Sequence, residues 1–153
     1  MPQSLDDDLL FLLYDVARLM RVRADQHARL TGMTRAQWVI LVWLERKPGI
    51  TQNELASLVE VEPITIARLV DRLEARGVVE RRHDPRDRRV RRLHLTEAAA
   101  PLLEGVHAYR RDSNVVLTEG VSPADVKRII AGLAAMKGNL LDEKRDGAEA
   151  VGS

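Results

Sequence analysis

The sequence predicts a mainly α-helical fold broken by one short antiparallel hairpin, and three observations carry that prediction. First, residues 34–37 (TRAQ) and 51–54 (TQNE) both spell a capping box, in which each end residue satisfies a free backbone N–H at a helix start. Second, aromatics make up only 3% of a chain that is 45% hydrophobic. Its core must therefore be aliphatic, which suits packed helices better than a strand-rich sandwich. Third, apolar residues recur at helical spacing along most of the chain, whereas residues 78–83 and 90–95 read as short strands flanking the turn sequence DPRDRR.

Residues 5–30 place Leu5, Leu9, Leu12, Val16, Leu19 and Met20 at helical spacing, and Gly32 and Met33 supply a stop. The helix that follows, 35–46, is apolar nearly all round (Ala36, Trp38, Val39, Ile40, Leu41, Val42, Trp43, Leu44) and belongs at the centre of the fold. Lys47-Pro48-Gly49 breaks the chain, and Ile50 is expected to add a short strand. A helix over 52–59 turns Leu55, Ala56, Leu58 and Val59 inward. After a three-residue connection, 60–62, Pro63 opens the next helix at the position where its missing N–H costs nothing. That helix, 63–76, ends at Gly77, and the hairpin follows. A long helical stretch runs from Thr96 to about 121, with Pro101 expected to kink or loosen its first turns. Ser122-Pro123 caps a last helix to about 141, striped by Val126, Ile129, Ile130, Leu133, Met136 and Leu140; residues 142–153 read as a flexible tail.

Several function classes fall away on composition. There is no cysteine, so disulfides, thiolate zinc sites and thiol switches are out. No apolar run approaches the roughly 20 residues of a membrane span. The start, MPQSLDDDLL, is acidic where a secretory signal is basic, so a cytoplasmic protein without a membrane partner is expected. Gly-rich phosphate loops, Gly-x-Ser-x-Gly elbows and His-Glu-x-x-His pairs are missing, and His27, His83, His94 and His107 are scattered. No catalytic residue, cofactor or metal ligand is assigned.

Charge is distributed unevenly. Residues 81–92 (RRHDPRDRRVRR) hold seven arginines against two aspartates and carry +5, leaving −4 for the rest of a chain whose total is +1. Such a spike suits an anionic partner. On the helix 63–76, Ile66, Leu69, Val70 and Leu73 form the inward stripe, and Ile64, Thr65, Arg68, Asp71 and Arg72 lie opposite. A short helix, a three-residue turn and a second helix with an arginine-bearing outer face meet the needs of a helix-turn-helix. Arg68 and Arg72 would each reach a guanine edge or a phosphate, and Thr65 a phosphate or a base. Asp71 admits two readings: acceptor for a cytosine amine, or holder of an arginine. A hairpin with an arginine-loaded tip comes directly after, where arginine would enter a narrow, A·T-rich minor groove. The pair implies double-stranded DNA as partner, with affinity that falls as salt rises.

The stretch ITQNELASLVEVEPITIARLVDRLEARGVVERRHDPRDRRVRRLHLTEAA resembles the core of the MarR family of bacterial regulators, and looser similarity extends over about 5–141. Its most specific pieces are TIARLVDRLEARGVVER joined to DPRDRR and LHLTEAA. The resemblance implies a winged helix-turn-helix lobe at 34–95, with N- and C-terminal helices, 5–30 and 96–141, forming a dimerisation region. It also implies a homodimer on a palindromic operator and repression relieved by a small aromatic or phenolic effector. Helix 63–76 would be the recognition helix; Arg89 would enter the minor groove, oriented by Asp87, and Arg86 and Arg88 would meet phosphates. In the family the effector sits between the dimer helices and the lobe. Trp38 is there either pocket wall or plain core, and Arg23 either the carboxylate's partner or surface. The dimer has separate support, since Leu102, Val106, Tyr109 and Val116 would be stranded in a lone lobe. Two other functions stay open: a metal-responsive DNA-binding regulator, and a winged-helix module for protein contacts.

Overall fold

The helix starts are set by side chains that satisfy free N–H groups. In the structure, a computed structural model that describes residues 5–151, α1 (Leu9–Leu30) opens at Asp8, whose carboxylate accepts from the Phe11 N–H at 2.8 Å. The helix therefore begins later than the apolar spacing from Leu5 suggests, and Leu5–Asp7 form a 3-10 turn. Both capping boxes form as expected, at Thr34 for α2 (Arg35–Arg46) and at Thr51 for α3 (Gln52–Val59). Glu60 takes the left-handed conformation (φ 58°) that turns the chain, and Pro63 occupies the first turn of α4 (Pro63–Ala75). Two strands follow, β1 (Val79–His83) and β2 (Arg91–Leu95), then a 3-10 turn at Glu97–Ala99, α5 (Ala100–Leu117) and α6 (Pro123–Val151).

By its contacts the chain divides into two units, with the boundary between residues 109 and 110, inside α5. In the first unit α2 is central: Trp38, Ile40, Leu41 and Leu44 are buried with Leu55 and Ala56 of α3, Ile66, Val70 and Leu73 of α4, and Val79 and Leu93 of the hairpin. Each fully buried aliphatic side chain stabilises the lobe by about 1.5–3 kcal/mol. The strands pair antiparallel with Val79 opposite Leu95 and Arg81 opposite Leu93, so Arg81 shares the inward face of the hairpin with buried Leu93.

Several other sequence expectations change. The strand expected at Ile50 shrinks to a single bridge between Thr51 and Arg92, because Thr51 is already the cap of α3. Before Pro101 the first turn of the expected helix is a 3-10 turn, Glu97–Ala99, and α5 itself starts at Ala100, so proline lies in its first turn, where no intrahelical bond is lost. Leu102, Val106 and Tyr109 are not stranded but pack on the core of the first unit, while Val116, in the second, remains exposed. Finally, α6 does not stop near 141; it continues through LDEKRDGAEAV to Val151, a run in which seven of eleven residues (Leu, Glu, Lys, Arg, Ala) are good helix formers. Only residues 152 and 153 of the expected tail lie outside the described residues.

In the second unit α6 begins at Ser122, whose hydroxyl oxygen accepts from the Asp125 N–H at 3.1 Å. Ile129, Ile130, Leu133 and Leu140 of its apolar stripe are exposed. Among the described residues no helix is long and apolar enough to cross a membrane.

Candidate nucleic-acid interface

The inward stripe of α4 seats that helix so firmly that its opposite face is set by geometry alone. Ile66, Val70 and Leu73 have no measurable exposure, and Ile64, Thr65, Arg68, Asp71 and Arg72 all lie exposed on the other side. Gly77 ends the helix with a φ of 72°, a conformation that carries little cost only for glycine, and the chain turns directly into β1.

The hairpin tip is built by two aspartates that hold backbone. Asp84 Oδ1 accepts from the Arg86 N–H at 2.7 Å, and Asp87 Oδ1 from the Arg89 N–H at 2.9 Å. These are Asx turns, which fold a short polar segment without any apolar support. Asp87 also approaches Arg89 Nε at 3.5 Å, leaving the Arg89 side chain 93% exposed. His83 Nδ1 meets the Arg88 carbonyl at 2.9 Å, a further tie across the tip. Arg86 and Arg88 are exposed as well. All nine sequence-predicted DNA-facing residues thus lie on the surface of one unit, on α4 or at the hairpin tip.

The seven arginines do not act as one patch. Arg81 is only 13% exposed and is held by Asp71 and Glu74 of α4. Arg82 pairs with Glu80. Arg92 spans from Asp84 Oδ2 (2.5 Å) to the Gly49 carbonyl (2.8 Å), joining the hairpin to the turn before α3. The +5 of the segment is therefore partly consumed inside the lobe, and Arg86, Arg88, Arg89 and Arg91 form its outward part. Of the two readings of Asp71 the structure displays the second, since Asp71 Oδ1 accepts from Arg81 Nη2 at 2.6 Å.

Asp84, Arg81, Arg92 and Gln52 escape a motif-based reading. A signal existed: in an alternating strand, Arg81 falls on the same face as Val79, and an inward charge requires partners. Asp84 is buried, and its carboxyl is held below the usual aspartate range by the Arg86 N–H first and by Arg92 second. His94 is pushed below the ordinary histidine value by burial, reinforced by Arg82 and Arg92 and opposed by Glu80.

Away from this surface, Trp38 is 5% exposed, donates from Nε1 to Thr31 Oγ1 at 3.2 Å and stacks on Tyr109 with centroids 5.2 Å apart. Tyr109 also meets His27 at 4.8 Å, and His27 Nδ1 is 3.0 Å from the Arg23 carbonyl. Trp38 is thus packed in the core, and half-buried Arg23 lies one helical turn before a histidine of the same aromatic cluster. His107 pairs with Glu45 at 2.9 Å. Among the described residues no group of three His, Cys, Asp or Glu is placed to hold a metal ion.

Comparison with known proteins agrees with this geometry. The MarR family profile matches residues 33–90, the span from the start of α2 to the hairpin tip. The transcriptional regulator SlyA is 26% identical, with 89% of this chain and 96% of that one covered at a TM-score of 0.77. A MarR-family regulator from Rhodococcus sp. RHA1 is 28% identical over 88% and 95% of the two chains, with a TM-score of 0.76. CouR from Rhodococcus jostii RHA1, solved bound to p-coumaroyl-CoA, is 29% identical over 88% and 94%, with a TM-score of 0.74. The lobe that the profile matches carries the arginine-bearing helix and wing, and the likeness to solved regulators extends over nearly the whole chain. Residues 33–90 thus match the MarR family of winged helix-turn-helix proteins, and the chain shares the fold of solved MarR-family transcription regulators over nearly its whole length.

Proposed function

We propose that the protein is a cytoplasmic, homodimeric repressor that reads a palindromic operator and releases it on binding a small aromatic or phenolic acid. The observation that carries the DNA contacts is the joint exposure, on one unit, of the outer face of α4 and of Arg89 at the wing tip. Arg68 and Arg72 reach guanine edges or phosphates in the major groove, Thr65 bonds a phosphate or base, and exposed Ile64 suits a thymine methyl. Arg89 enters the adjacent minor groove with Asp87 orienting it, and Arg86 and Arg88 meet the flanking phosphates. Asp71 contributes by holding Arg81 rather than by reading a base.

Exposed apolar side chains on α1 and, separately, on α6 support helices 5–30 and 96–141 as the dimerisation region around the lobe at 34–95. Two copies give two recognition helices, as two half-sites one turn apart require. For the effector, the aromatic cluster of His27, Trp38 and Tyr109 offers stacking surface beside Arg23, which would meet a carboxylate. CouR binds p-coumaroyl-CoA, whose acyl part is a phenolic acid, in line with this ligand class. To release DNA the effector must bind the DNA-free arrangement more tightly than the DNA-bound one.

The test is a salt titration of binding to a duplex enriched from a random pool by the protein itself. Log affinity should fall linearly with log salt, and Arg89→Ala should weaken binding about tenfold and lower the slope by about 1. A flat plot, or an Arg89→Ala variant that binds as wild type, would sink the DNA-contact assignment. For the effector, aromatic acids should raise the melting temperature and release the duplex; a panel that does neither removes that part of the proposal.

A further inference from the structure

Arg81 stands apart among the arginines of the wing because it faces inward and touches both helices of the helix-turn-helix. Its Nη2 donates to Asp71 Oδ1 at 2.6 Å, its Nη1 binds Glu74 Oε2, and its Nε and Nη2 lie 3.4 and 3.2 Å from Gln52 Oε1. Even its peptide N–H is used, donating to Glu74 Oε1 at 3.3 Å. Gln52 is the first residue of α3, Asp71 and Glu74 lie one turn apart on α4, and Arg81 sits mid-strand in β1. One planar fork of five donors therefore joins three elements, a task that a lysine ammonium on a flexible stem does not reproduce.

Two features separate this role from phosphate binding. Two carboxylates more than offset the guanidinium, so the cluster has no positive charge to offer an anion. And Asp71 lies among the DNA-facing residues, adjacent to Arg72 and one turn beyond Arg68, so the link ends inside the recognition surface. At the other end of the hairpin is Arg89. We propose that Arg81 is a positioning residue that sets the register between the recognition helix and the wing, so that α4 and Arg89 engage neighbouring grooves together. Arg81 itself contacts no DNA. The inference rests on the DNA reading above and adds a residue to it.

A double-mutant cycle tests it, with the duplex enriched from a random pool by wild-type protein as probe. Arg81→Gln should lower affinity about tenfold and, because the displaced wing takes Arg89 with it, lower the salt slope by about 1. In that background Arg89→Ala should cost only about twofold, because a wing out of register has little left to lose. Arg81→Lys should fail to restore affinity. Gln52→Ala, an easily tolerated change at the start of α3, should reproduce the non-additivity in weaker form and serves if Arg81→Gln does not fold. Additive losses across the cycle, a further slope drop of about 1 when Arg89→Ala is added to Arg81→Gln, or rescue by lysine would each overturn the inference while leaving DNA binding intact. Wild-type protein that enriches no duplex would overturn the DNA reading, and this inference with it.

Discussion

The lobe around α2 and the first half of α1 treat their apolar side chains in opposite ways. In the lobe, Ile40, Leu41, Leu44, Leu55, Ile66, Val70, Leu73 and Leu93 are at most 1% exposed. On α1, Leu9, Leu10, Phe11, Leu12, Leu13, Tyr14, Val16 and Leu19 are between 37% and 68% exposed. Both stretches are rich in leucine, so composition does not distinguish them. The lobe closes its core with three helices and a hairpin of its own, whereas the start of α1 has no such cover. One region is complete within a single chain, and the other has the character of an unfinished interface.

The sharpest way to break that contrast is to charge the open face. If the proposed dimer forms through this face, Leu12→Glu with Val16→Glu should leave the protein monomeric by sedimentation and reduce duplex affinity by about 100-fold or more, the loss expected when two linked half-site contacts become one. Lobe stability should barely change. A double variant that remains dimeric would place the interface elsewhere.

A smaller but still large effect is expected inside the lobe. Leu41→Ala leaves a cavity at a site with no exposure, and should cost about 2–5 kcal/mol in chemical denaturation while the folded protein keeps the oligomeric state of wild type. Equal loss of dimer and of lobe stability would mean that the two regions are not separable.

The smallest effect concerns pH. His94 is held below the ordinary histidine value of 6.5, chiefly by burial, so the unfolded chain takes up its proton first as pH falls. The stability His94 contributes is present above about 6.5 and is lost as pH drops through its folded value. His94→Gln should therefore flatten the fall in melting temperature on acidification below about pH 6.5, by about 1–2 °C. Identical pH profiles for variant and wild type would remove His94 from the account.

Much of the lobe was legible beforehand because its signals are local. The capping boxes at Thr34 and Thr51, Pro63 at the start of α4, Gly77 after it and the Asp84-Pro85 turn each depend on residues within one helical turn or one hairpin. The outer face of α4 followed from its inner stripe, since Ile66, Val70 and Leu73 leave only one orientation for Arg68 and Arg72. The terminal helices were read less well. The extension of α6 to Val151 has no apolar periodicity to announce it, and Leu102, Val106 and Tyr109 looked surplus until α5 was seen to begin against the core of the first unit.

Helix starts, the helix-turn-helix order and the outward arginines of the tip are settled by short-range chemistry, which the linear order of residues already contains. Which arginines turn inward is a different kind of fact. Arg81 meets Gln52 29 positions away, and Arg92 meets Gly49 43 positions away. Seven identical side chains in one segment carry no mark of such partners. Their division into tethers and contacts arises when packing brings remote carboxylates and carbonyls beside some of them and leaves the others facing water.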